Sequence, residues 1–222
     1  MTPFPFDIVG FDLDGTLVDS AADLSAAVNH ALSVDGRAML PVDQVRPMIG
    51  GGVRLLLERA MAATGDADAA RIDALLPVLL DHYAAHIAVH TRPFPGVVAA
   101  LDALAARGVT LAVMSNKLER LSVALLDALG LRNRFACIIG GDTIGIAKPD
   151  PAPIREMIRR CGGGRAAFVG DSHFDVAAAH GANIPVATFG AISGADISFT
   201  RHADLPVALE ELAAGSGRSR WT

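Results

Sequence analysis

Asp12 and Asp14 stand one residue apart in Phe11-Asp12-Leu13-Asp14-Gly15-Thr16-Leu17, and no other stretch of the chain carries so direct a chemical signal. They follow the apolar run Ile8-Val9-Gly10-Phe11, which predicts a buried strand. Alternate side chains of an extended chain face the same way, so both carboxylates can project into one crevice beyond the strand end. Two carboxylates so placed repel, and one holds a proton unless a cation joins them. The ionised group then serves as a nucleophile and its neighbour as a general acid and base. A hard divalent cation such as Mg²⁺ prefers oxygen ligands and relieves the repulsion. Gly15 lets the backbone turn sharply, and Thr16 adds a small hydroxyl donor. Asp-Gly is also ordinary turn chemistry, so the chemical reading draws its weight from the rest of the chain.

Three further polar segments follow predicted strands. Ser115-Asn116-Lys117 follows Leu111-Ala112-Val113-Met114, and Gly140-Gly141-Asp142-Thr143 leads from Cys137-Ile138-Ile139 to Lys148-Pro149. Gly170-Asp171-Ser172, with Asp175 after it, follows Ala167-Phe168-Val169. Only two of the 19 basic residues are lysines, Lys117 and Lys148, and both fall in these segments. An ammonium is a compact point charge that a planar guanidinium does not replace, so their placement predicts function rather than chance survival. Each piece has a plainer alternative. Ser115 could cap the next helix, Lys148 could be a solvated turn residue, and Ser172 with Asp175 has capping-box spacing. Gly50-Gly51-Gly52 fits a flexible linker as well as a substrate loop.

The elements that must position these groups fall into two patterns. Ser20 and Asp23 have capping-box spacing at the start of a helix whose face is Leu24, Ala27, Val28, Ala31 and Leu32. Val53 to Met61 and Ile72 to Tyr83 give two more apolar helical faces, with Pro77 expected to kink or break the second. No strand pattern appears between Asp19 and His90, which predicts an all-helical inserted cap over 19–91. From Arg92-Pro93-Phe94-Pro95-Gly96 onward strands and helices alternate. That predicts an α/β core, 1–18 with 92–222, built as a doubly wound parallel sheet of Rossmann-like type. Its last strand is expected at Pro185 to Phe189 and a closing helix at Val207 to Leu212, before a frayed tail from Gly215 through Arg220 to Trp221. In such sheets, sites gather at the carboxyl ends of the strands.

The 222 residues carry a net charge of −5, which argues against nucleic-acid binding. No apolar run reaches the roughly 18 residues of a membrane span. The opening Met1-Thr2-Pro3-Phe4-Pro5 lacks the basic and apolar regions of a secretory signal. Cys137 and Cys161 form neither a disulfide framework nor a metal-spaced set. His30, His82, His86 and His90 are expected to be surface or packing residues. A cytoplasmic protein, monomer or homodimer, is the expectation.

The motif set, in this order and spacing, resembles the haloacid-dehalogenase superfamily of phosphotransferases along nearly the whole chain. The matching segments are D-x-D-G-T at Asp12 to Thr16, S-N-K at Ser115 to Lys117, K-P at Lys148, and G-D-S-x-x-D at Gly170 to Asp175. Ile49 to Gly52, His90 to Gly96, Gly141 to Thr143 and Lys148 to Pro151 are similar to its phosphoglycolate phosphatase-like subgroup. Ala191-Ile192 and His173-Phe174 depart from that subgroup's usual residues and bear on substrate choice rather than chemistry. The resemblance implies Asp12 as nucleophile, Asp14 as acid and base, and Lys148 as the neutralising cation. It implies Thr16, Ser115 and Asn116 as substrate-binding residues. It implies Mg²⁺ held by Asp12, the Asp14 carbonyl and Asp171, with Asp175 orienting that shell. The implied partner is a small phosphorylated metabolite, with 2-phosphoglycolate first. A phosphatase of another small metabolite, a sugar phosphomutase and a catalytically silent phosphate-binding regulator stay open as alternatives. The insertion has no lysine to form a Schiff base, which argues against phosphonate cleavage.

Overall fold

The computed structural model of the chain describes residues 3–215. Six parallel strands form one sheet: β1 (Ile8–Phe11), β4 (Thr110–Met114), β5 (Cys137–Ile139), β6 (Ala166–Gly170), β7 (Val186–Phe189) and β8 (Ile197–Phe199). Their order is β5-β4-β1-β6-β7-β8, so β1 lies between β4 and β6. The chain leaves β1 toward one edge and returns past it toward the other, and ligand sites form in the crevice at such a reversal. The central strands β1 and β6 are apolar and buried throughout because both faces are covered. Val9, Phe11, Leu111, Val113, Ala167 and Val169 pack on one face with α5 (Val97–Ala105), α6 (Glu119–Ala128) and α9 (Leu205–Gly215). Ile8, Ala112, Met114, Ala166 and Phe168 pack on the other with α7 (Ala152–Arg160) and α8 (His173–Gly181). The doubly wound α/β sheet is therefore the one expected, with period-two alternation dividing β1, β4 and β6 between two cores.

Between β2 (Val18–Asp19) and β3 (Arg92–Pro93) the chain is helical: α1 (Ala21–Val34), α2 (Val42–Val45), a short 3₁₀ turn, α3 (Val53–Thr64) and α4 (Ala69–Ala85). β2 and β3 pair antiparallel, so the exit and return of this helical cap lie side by side. Leu24, Val28, Leu32, Leu57, Met61, Leu75, Leu79 and Tyr83 make the cap's own core, and Leu121 of α6 joins it from the sheet side.

Several local expectations change. Ser20 makes no capping hydrogen bond for α1. Its hydroxyl donates to Asp14, while the buried Asp23 accepts from the backbone amides of His90 and Thr91 and from the Thr91 hydroxyl. The box is given up because both partners have stronger charge-assisted uses across the cap boundary. Of the kink or break expected at Pro77, the break does not occur: α4 runs from Ala69 to Ala85 through it, because packing of the apolar face outweighs one missing hydrogen bond. Pro185–Phe189 is not the last strand, because Ile197–Phe199 adds a parallel edge. The expected closing helix is longer, Leu205–Gly215, and the remainder of the predicted tail, with Trp221, lies outside the described residues. Among the described residues no helix is long and apolar enough to cross a membrane.

Candidate active site

Asp12 follows β1 directly, and its backbone amide donates to the Val169 carbonyl, which holds it at the end of two neighbouring strands. Its Oδ1 accepts from the Leu13 amide at 2.7 Å and lies 3.1 Å from the Lys148 ammonium. Lys148 also sits 2.6 Å from Asp175 and donates to the Met114 carbonyl at 3.1 Å. All three side chains are buried. Asp171, at the end of β6, accepts from the Thr16 hydroxyl at 2.6 Å. One carboxylate oxygen from each of Asp12, Asp171 and Asp175 falls within 4.8 Å of the others. The three segments that carry Asp12, Lys148 and Asp171 are far apart in sequence, and parallel pairing brings them to one end of the sheet.

The electrostatics of this cluster are those of an incomplete charge set. Burial pushes the Asp12 carboxyl up to about 6 against the pull of Lys148. Burial, with repulsion from Asp12 and Asp175, pushes Asp171 up to about 8. Burial disfavours the Lys148 ammonium, but Asp12 and Asp175 outweigh it and raise its pKa. One ammonium does not balance three crowded carboxylates, and hard oxygen donors at this spacing fit Mg²⁺. Gly15 has φ +88°, and a Cβ there would collide with the Asp171 carboxylate, so only glycine admits that approach.

Asp14 is held from two sides. Its Oδ1 accepts from the Ser20 hydroxyl at 2.6 Å and its Oδ2 from the Lys117 ammonium at 2.7 Å. Lys117 is buried and lies over the Tyr83 ring, 4.4 Å from its centroid. Burial works against its charge, and Asp14 with Tyr83 more than compensates, so its pKa is raised.

The structure gives several residues more specific work than their spacing indicated. Asn116 donates through Nδ2 to the carbonyls of Lys148 and Gly50, and its Oδ1 accepts from the Lys148 amide. Its side chain thus positions Lys148 and ties the triple-glycine loop to the core. The Thr16 hydroxyl spends its proton on Asp171. Ser115 is buried beside Asp12 and lowers that carboxyl's pKa by hydrogen bonding. Asp175 closes the capping box of α8 with Ser172, as its spacing allowed, and it also pairs with Lys148, which the sequence did not indicate. Gly50 and Gly52 line the crevice with Asp12, Asp14, Ser115 and Asn116. Tyr83 and His202 carry no motif signal, and that of Ser20 pointed to a helix cap rather than to the site. His202, whose pKa burial lowers, lies 2.8 Å through Nε2 from the Thr16 carbonyl and steadies the nucleophile turn from the far end of the chain. His30, His82 and His86 stack on the cap surface, in the packing role expected of them.

The arrangement has the parts a phosphoryl-transfer site needs: a buried carboxylate able to serve as nucleophile, a second carboxylate two residues on, a buried ammonium and oxygen donors spaced to fit a divalent cation. The family model for haloacid dehalogenase-like hydrolases matches residues 9–189. A phosphoglycolate phosphatase of Mesorhizobium japonicum is 44% identical over 182 residues, covering 81% of this chain and 80% of that protein. One from Caulobacter vibrioides is 42% identical over 211 residues, covering 90% and 89%. A crystal structure from Haemophilus somnus, described as a predicted phosphoglycolate phosphatase, superposes with TM-score 0.83 at 30% identity, covering 90% of this chain and 96% of that one. The family match spans the sheet from β1 to β7 and takes in the Asp12, Lys148 and Asp171 segments, so the chain belongs to the haloacid dehalogenase-like hydrolases.

Proposed function

We propose that this hydrolase is a Mg²⁺-dependent phosphatase of small phosphomonoesters, with 2-phosphoglycolate as substrate, acting through an aspartyl-phosphate. The observation that carries the chemistry is the buried Asp12 beside Lys148 and two further carboxylates, with Asp14 two residues on. The names of the relatives carry the substrate. A carboxylate oxygen of Asp12 attacks phosphorus, and the phosphorus–alkoxide bond breaks. Asp14 gives its proton to the departing alkoxide, and the Lys117 ammonium at 2.7 Å stabilises the carboxylate left behind. Asp14 then takes a proton from water, whose oxygen attacks phosphorus and displaces Asp12, releasing phosphate. Lys148 neutralises charge at the nucleophile, and Ser115 with the backbone near Asn116 supplies donors to the phosphoryl group. Asp12, Asp14 through its carbonyl, and Asp171 would hold Mg²⁺, with Asp175 orienting them. When bound, the ion neutralises phosphoryl charge as a Lewis acid. The reading includes a core of 1–18 with 92–222, a cap of 19–91, a cytoplasmic setting, and a monomer or homodimer.

Phosphate release from 2-phosphoglycolate and from an aryl phosphate, with Mg²⁺, tests this. Wild-type protein turns over and Asp12→Asn does not. Wild-type turnover in Asp12→Asn removes the nucleophile assignment, and wild-type protein inert on both esters removes the phosphatase reading.

A further inference from the structure

We propose that Tyr83 and Lys117 form the subsite for the substrate's carboxylate, the end that carries no phosphorus; this rests on the phosphoglycolate reading above. The crevice beside Asp12 and Asp14 is closed on its cap side by Leu24, Val53, Leu56, Leu79 and Leu80, none of which can bind a polar group. Of the crevice side chains, Asp12, Ser115 and Asn116 lie toward the phosphoryl position or support Lys148. The side-chain donors left for the other end of a substrate are the Tyr83 hydroxyl and the Lys117 ammonium.

Both have unused capacity. The Tyr83 hydroxyl is buried within reach of the Lys117 ammonium, and its own proton has no acceptor. A buried hydroxyl whose proton has no acceptor is costly, and an acceptor brought in by a ligand relieves that cost. Lys117 carries three N–H donors, and its hydrogen bond to a carboxylate, Asp14, uses one of them. The same ammonium lies over the Tyr83 ring, 4.4 Å from its centroid, and both residues line the one crevice. Tyr83 comes from α4 of the cap and Lys117 from the loop after β4, so the subsite exists only when cap and core are together.

The geometry selects by size as well as charge. Lys117 touches Asp14, the acid that serves the leaving oxygen, so a carboxylate on Lys117 must lie a short distance from that oxygen. A two-carbon hydroxy acid meets this requirement. A sugar phosphate would bury its hydroxyls against the leucines of the cap wall. A site built to hydrogen-bond one substrate group rejects analogues that lack it.

The test compares kcat/KM for 2-phosphoglycolate with that for ethyl phosphate, which lacks the carboxylate, in wild-type protein and Tyr83→Phe. Phenylalanine keeps the ring under Lys117 and removes the hydroxyl alone. Both esters are assayed on one preparation, so any loss of folded protein cancels in the ratio. The expected result is a fall in the ratio of about ten- to a hundredfold, carried mainly by KM for 2-phosphoglycolate. A ratio left at the wild-type value overturns the subsite while the phosphoglycolate reading stands. Wild-type protein with no preference for 2-phosphoglycolate overturns that reading, and the subsite with it.

Discussion

Replacing Lys148 by methionine isolates the electrostatics of the site from its catalysis. The ammonium makes two buried ion pairs, to Asp175 at 2.6 Å and Asp12 at 3.1 Å, and its own side chain has 0% exposure. Methionine fills similar volume but leaves Asp12, Asp171 and Asp175 facing one another. Breaking a buried pair by removing one partner costs about 3–5 kcal/mol. The pH dependence has a definite sign. Lys148 has a raised pKa and stays charged through the neutral range, so the dependence comes from the carboxyls. Asp12 titrates at about 6 in the folded state against 3.8 unfolded, so its contribution is complete below 3.8 and is lost as pH rises through 6. At about 1.4 kcal/mol per pKa unit, that loss is on the order of 3 kcal/mol. Removing Lys148, which pulls this carboxyl down, moves the loss to higher pH and enlarges it. The variant's deficit is therefore expected near the full 3–5 kcal/mol at about pH 8, and about half of it at about pH 5, where Asp12 and Asp171 carry protons. Urea unfolding in EDTA, fitted for both proteins at each pH, measures this. A deficit that is the same at both pH values, or larger in acid, would refute the charge-crowding account.

Magnesium is expected to stabilise the protein more near pH 8 than near pH 6, because Asp12 and Asp171, raised to about 6 and about 8, must give up protons to bind it; thermal melting with Mg²⁺ or EDTA checks this, and equal shifts would count against Asp171 as a ligand. Asp23→Ala orphans the amides of His90 and Thr91 and the Thr91 hydroxyl, and is expected to cost about 2–4 kcal/mol in urea unfolding. An unchanged midpoint would show that Asp23 does not fasten the cap's return strand. Gly15→Ala forces a Cβ onto Asp171 at positive φ and is expected to weaken Mg²⁺ binding about tenfold or more by calorimetry, with a stability loss of about 1–3 kcal/mol. Wild-type affinity in that variant would remove the close approach as a requirement.

Much of the fold is legible because apolar runs such as Ile8–Phe11 and Ala166–Gly170 have no place in water and fit only a sheet covered on both faces. The elements that are not legible are short. β2 and β3 have two residues each, too few for periodicity to register, and β8 carries the exposed Ser198 between Ile197 and Phe199; all three exist because a neighbouring strand edge is within reach. The capping box expected at Ser20 shows the same limit. Spacing identifies hydroxyl and carboxylate as possible partners of each other, while the fold offers each a better one, Asp14 for Ser20 and Thr91 for Asp23. Asn116 stands in a recognisable motif, yet its hydrogen bonds to Lys148 and Gly50 depend on where two distant loops come to rest.

By itself the sequence determined the chemistry: two carboxylates one residue apart after an apolar run, and the only two lysines of the chain in polar segments after strands. Residue type and local spacing suffice for that, because nucleophilicity and charge belong to single side chains. The tertiary structure alone decided how those groups are charged and held. It set Lys148 between Asp12 and Asp175, put Lys117 on Asp14, and buried the Tyr83 hydroxyl beside that ammonium with no acceptor for its proton. Burial and Coulomb interaction depend on distance in space, and residues more than 100 positions apart meet here only because parallel strands and an inserted cap fold them to one end of one sheet.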